Sequence, residues 1–147
     1  MQEASNRQSA ESQSDRVPWG WVIGTAIGLE VAMVISAFAW VAIYSYVIHP
    51  GEESAYYENY AKSASPFVSV VLGIPFWFFA CRWVGRKAGT RAVAMCVCAW
   101  FVLFIIEVPL IFIAKPTDYD WSMVALSHST KLLAAYLGGR AALKRVN

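Results

Sequence analysis

Four apolar runs, at residues 19–48, 66–85, 92–114 and 121–143, constrain what this chain can fold into more than any other feature. Each reaches or exceeds the about 20 residues that a helix needs to cross a hydrocarbon core, at about 1.5 Å of rise per residue. The composition agrees. Apolar residues make up 58% of the chain, charged residues only 15%, and the mean hydropathy is +0.45. Soluble domains carry about 45–50% apolar and about 25% charged residues. The predicted architecture is therefore all-α: a polytopic, integral membrane four-helix bundle over residues 18–147. Residues 1–17, rich in Gln, Ser and Glu, read as a disordered tail.

Lys and Arg set the expected orientation. Arg7 and Arg16 precede the first run, Arg82, Arg86, Lys87 and Arg91 cluster between the second and third, and Arg140, Lys144 and Arg145 close the chain. The other two connections carry Lys62 and Lys115 alone. This alternation places both ends and the middle connection in the cytoplasm, in a bacterial-type cytoplasmic membrane. The first run is not read as a cleaved leader, because it continues to Ile48 and carries Glu30 within it. A net charge of +2 without a basic, aromatic-laced patch argues against a nucleic-acid partner. The expected partner is the lipid bilayer.

Between runs one and two, Pro50-Gly51 ends the first helix and Pro66 reads as the first-turn residue of the second. Tyr56, Tyr57 and Tyr60 fall on one side of a short outer helix, expected to rest on the outer leaflet or, alternatively, to act as a substrate-gating or partner-binding lid.

Glu30, Glu107, His128 and Lys131 lie inside the runs. Three full charges near a bilayer centre would cost on the order of 8–10 kcal/mol if unpaired, so the helices must bring partners together. Depth offers the pairs. Glu30 and Lys131 each lie about 13 Å from the inner surface, and Glu107 and His128 about 10–12 Å below the outer one. Ser127, His128 and Lys131 share one face of the fourth helix, continued inward by Ala135 and Gly138. Pro75 and Pro109 each remove one backbone hydrogen bond within a run, the second just beyond Glu107, and are expected kink sites. Gly20, Gly24 and Gly28 form a small-residue stripe on the first helix, suited to close packing within the chain or against a second copy.

The segment Gly24-Thr25-Ala26-Ile27-Gly28-Leu29-Glu30-Val31 resembles the small-residue approach to a first-helix glutamate in the small multidrug resistance transporters. That resemblance implies a dimer in which Glu30 binds protons and cationic substrate. The chain departs from that pattern in its acidic outer loop, its longer first helix and Lys131, which would compete with a cation for Glu30.

No HExxH, phosphate loop or placeable Ser/His/Asp arrangement occurs, so no enzyme activity, metal or cofactor is expected. Cys81, Cys96 and Cys98 read as small apolar core residues. The functional expectation is a small transporter or channel-like protein for protons or a small solute, working through Glu30, Glu107, Ser127, His128 and Lys131. The alternative is a non-catalytic accessory or scaffold protein whose charges only fix helix packing.

Overall fold

The computed structural model describes residues 19–114 and 120–143. Among them the chain is helical almost throughout and has no strand. The expected disordered tail, Lys115, Asp118 and the basic residues Arg7, Arg16, Lys144 and Arg145 lie outside the described residues. The helical chain runs in three long stretches. The first is α1 (Trp19–Ile43), which widens into a π-helical turn at Tyr44–Ile48. The second holds α2 (Ser54–Ala88), a 3-10 turn at Gly89–Arg91 and α3 (Ala92–Ala114). The third is α4 (Trp121–Leu143).

Two stretches, Trp19–Ile48 and Ser54–Ile113, are long and apolar enough to cross a membrane. The four expected runs thus become two qualifying stretches, the second folded back on itself, and α4 with its polar face is not one of the two. The fold-back centres on Gly89, whose φ of 56° is a conformation that L side chains rarely adopt. It sets Cys81 opposite Cys96 and Gly85 opposite Ala92, so α3 runs antiparallel to α2. The pairs Ser69–Ser127, Gly73–Lys131 and Gly85–Ala142 advance together, so α4 runs parallel to α2. α1 is antiparallel to α2, with Trp21 against Trp83 at one end and Tyr44 against Tyr60 at the other. α1 and α4 each pack on the α2–α3 hairpin and make next to no contact with each other.

The expected outer helix is not a separate element. α2 is continuous from Ser54, with Pro66 and Pro75 inside it, as Pro109 is inside α3. A proline removes one hydrogen bond from a helix, and tertiary contacts on both sides of Pro66 hold this one together. On the N-terminal side of Pro66 those contacts are aromatic. The Tyr44 and Tyr60 rings stack at 3.6 Å, and Trp40 Nε1 donates to the Tyr60 hydroxyl at 3.0 Å. The Tyr57 hydroxyl donates to the His49 carbonyl at 2.7 Å and accepts from the Glu52 amide at 3.1 Å. Tyr57 and Tyr60 therefore dock on the C-terminal end of α1 and its π-helical turn.

α4 begins at an Asp cap. The Asp120 Oδ1 accepts from the Ser122 amide at 2.9 Å, the Met123 amide at 3.4 Å and the Ser122 hydroxyl. The Ser122 hydroxyl and then its amide hold the Asp120 carboxyl below its usual range. A carboxylate lowered in this way stabilises the fold above the ordinary Asp value of about 4, and that contribution fades as pH falls through the folded value. Stability should therefore drop more steeply between about pH 6 and pH 3 in the wild type than in Asp120→Asn, a cap that does not titrate, as measured by SDS-induced unfolding.

Trp77, Cys81 and Val84 of α2, Met95, Cys96, Ala99 and Leu103 of α3, Ala134 and Ala135 of α4, and Val22, Ala26 and Leu29 of α1 form one core. The outward surface is also apolar: Ile27, Ile35, Phe38, Phe79, Phe101, Phe112 and Leu133 are all exposed.

Candidate functional site

Glycines decide where the polar face of α4 goes. A Cβ on Gly138 would lie 2.5 Å from the Phe78 carbonyl oxygen and 2.9 Å from Cys81 Cβ, and one on Gly139 would lie 2.9 Å from Val93 Cα. Two adjacent glycines thus let α4 touch α2 on one side and α3 on the other. Ser127, His128 and Lys131, which share the Gly138 face, are turned into the interior at 6%, 5% and 1% exposure.

Lys131 is steered by a further glycine. Its stem crosses Gly73, where a Cβ would sit 3.3 Å from both Cγ and Cε. The ammonium reaches Glu107 of α3, with Nζ 3.6 Å from Oε2. The same oxygen lies 3.9 Å from His128 Nε2. Both separations are longer than a hydrogen bond; the first is an ion pair, and the second becomes one when His128 is protonated. Glu107 Oε2 and His128 Nδ1 are buried and make no hydrogen bond. Glu107 is the most exposed of the three, its side chain 25% accessible against 6% for His128 and 2% for Lys131. Glu30, half-buried on α1, lies within electrostatic range of both Glu107 and Lys131. Ser127 Oγ meets Ser69 Oγ at 3.0 Å, one turn of α4 before Lys131.

The depth-matched pairing of Glu30 with Lys131 is therefore corrected: the ion-pair partner of Lys131 is Glu107. The reason is helix order. α1 and α4 lie across the α2–α3 hairpin from each other, whereas Glu107 stands on a helix that α4 packs against directly. Glu107 also approaches His128, so a single carboxylate faces both the ammonium and the imidazole, with Glu30 at the edge of the group.

Three supporting residues carry no charge and were not singled out by sequence. Trp100 Nε1 donates to the His128 carbonyl at 3.0 Å, and Phe104 meets the imidazole edge-on with ring centres 5.1 Å apart. Ser69 supplies the hydroxyl partner of Ser127. A Trp in mid-run, away from the ends where aromatic belts lie, was the available signal for the first.

Among the described residues, nothing packs on the Gly20–Gly24–Gly28 stripe. A Cβ on any of the three would meet nothing within 4 Å. Together with Ala80, Trp83 and Val84 the stripe lines an open apolar groove of about 610 Å³. At the Trp21 end of the groove, the Lys87 ammonium lies 4.2 Å from the Trp21 ring centre and 4.7 Å from that of Trp83.

No family model, curated protein or solved structure matches the chain.

Proposed function

We propose that this chain is a four-span membrane protein with both ends cytoplasmic, and that it moves protons or a small solute through the polar group of Glu30, Glu107, His128 and Lys131. The apolar outward surface supports the membrane setting, since in water a face carrying Phe38, Phe79, Phe101 and Phe112 would be a large exposed patch. The observation that carries the transport reading is the charge count. Two carboxylates share one ammonium and one imidazole, and the contacts at Glu107 are longer than hydrogen bonds. Lys131 balances one carboxylate, so the other depends on a proton, its own or that of His128. A group whose neutrality turns on one proton in an apolar interior is suited to binding and releasing it. Glu107, the most accessible of the buried three, is the exchange point, and Ser127 with Ser69 extends the polar line outward. The open glycine face of α1 leaves room for a second copy.

The test is proton flux in proteoliposomes under an imposed pH gradient, read with an internal pH dye. Glu30 is outside the Lys131 ion pair, so Glu30→Gln should fold normally, and its flux should fall to the protein-free rate. Wild-type flux equal to protein-free liposomes under every gradient applied would remove the proposal. A second reading, a non-catalytic scaffold locked by its charges, is favoured by one observation: the Lys131 stem lies in the tight α2–α4 contact at Gly73.

A further inference from the structure

The open groove between α1 and α2 has a floor and a mouth of different chemistry. The floor is carbon. Gly20, Gly24 and Gly28 leave the α1 wall bare, and Ala80 and Val84 keep the α2 wall short. Thr25 supplies the one hydroxyl in the lining, and its proton is committed to the Trp21 carbonyl at 2.6 Å. From Gly20 to Gly28 the floor runs about 12 Å along α1.

The mouth is aromatic and positive. Trp21 and Trp83 meet edge to face there, with ring centres 6.3 Å apart, and are 45% and 57% exposed. The Lys87 ammonium lies over both rings and, among the described residues, makes no ion pair with a carboxylate. Arg82, Arg86 and Arg91 belong to the same end of the hairpin, while residues 19–29 and 59–106 contain no Asp or Glu. A carbon-floored channel that ends in positive charge fits an amphiphile, with a hydrocarbon chain in the channel and an anion at its end. It fits a second copy poorly. Two copies inserted the same way would bring equal basic ends to the same depth, and like charges repel. A zwitterionic headgroup offers Lys87 a phosphate but brings its own cation to a cluster that is already positive.

We propose that the groove binds one phospholipid with a net-negative headgroup. One acyl chain lies along Gly20, Gly24 and Gly28, and Lys87 holds the phosphate at the Trp21–Trp83 mouth. Basic pockets between membrane helices take anionic headgroups in this way. The site rests on the membrane setting proposed above and is independent of proton transport.

The test is native mass spectrometry of the full-length chain, delipidated in mild detergent and offered phosphatidylglycerol or phosphatidylcholine with identical acyl chains. Phosphatidylglycerol should be retained at one per chain, about fivefold or more tighter than phosphatidylcholine. Lys87→Glu should weaken phosphatidylglycerol binding by about tenfold or more. Arg140→Glu, on α4 across the hairpin, should change it by less than about twofold. Gly24→Leu, whose side chain would fill the open floor, should weaken both lipids. If that variant elutes abnormally on size exclusion, wild type decides: excess inorganic phosphate should leave the bound lipid in place. Equal retention of the two lipids, equal losses in Lys87→Glu and Arg140→Glu, full binding by a normally eluting Gly24→Leu, or displacement by inorganic phosphate would overturn the site. So would a lipid-free dimer that Gly24→Leu abolishes, which would make a second copy the occupant. Recovery of the chain in the soluble fraction without detergent would remove the site together with the membrane setting.

Discussion

Lys131→Met should lower the stability of the folded chain by about 3–5 kcal/mol, the usual consequence of leaving one member of a buried ion pair without its partner. The carboxylate left behind is Glu107, whose Oε2 lies 3.6 Å from the ammonium that the substitution removes. Restoring charge balance should restore stability. In the double mutant Lys131→Met/Glu107→Gln no full charge remains at that contact, and most of the loss should be recovered. The combination Lys131→Met/Glu30→Gln should recover much less, because Glu30 lies across the hairpin on α1. SDS-induced unfolding in mild detergent, followed by circular dichroism, gives all four values. Equal rescue by Glu30→Gln and Glu107→Gln would mean that the group acts as a shared charge reservoir without a specific pair.

Gly138→Ala should cost about 1–3 kcal/mol, and Gly138→Val more, through overpacking. The added Cβ would lie 2.5 Å from the Phe78 carbonyl oxygen, and backbone cannot move aside as a flexible side chain would. α4 would have to withdraw from α2, carrying Ser127, His128 and Lys131 away from their partners. Gly24→Ala is the contrast. Its Cβ meets nothing within 4 Å, and replacing Gly by Ala in a helix gains up to about 1 kcal/mol. The same unfolding titration should therefore move in opposite directions for two glycine-to-alanine changes. A loss of stability in Gly24→Ala would show that the α1 stripe is covered, by a second copy if the loss depends on protein concentration.

These contrasts show what the sequence made legible. Helical runs were readable because uninterrupted apolar segments of this length have few other solutions. The inward face of α4 was readable too: Ser127, His128 and Lys131 at three- and four-residue spacing cannot face lipid together without cost. The partner of Lys131 was not readable. Depth along a helix follows from counting residues, but which helices touch depends on packing among all of them, and Glu30 and Glu107 both satisfied the available constraint. Glycine spacing was legible only in part, for a related reason. Gly20, Gly24 and Gly28 carry the familiar four-residue period, yet the adjacent pair Gly138 and Gly139 makes the close approaches, one to α2 and one to α3. Pro66 pointed to a helix start, and the Tyr44, Tyr57 and Tyr60 contacts carry α2 through it.

Proton movement through the polar group, as we propose it, asks more of these residues than locking helices together. Its most direct test is proton flux through the charge-balanced double mutant Lys131→Met/Glu107→Gln, once unfolding measurements show it to be as stable as wild type. In proteoliposomes under an imposed pH gradient, flux should fall to the protein-free rate although the fold is intact. Flux at the wild-type level in this folded variant, which lacks the Lys131–Glu107 ion pair, would contradict the claim and leave that pair a purely structural element.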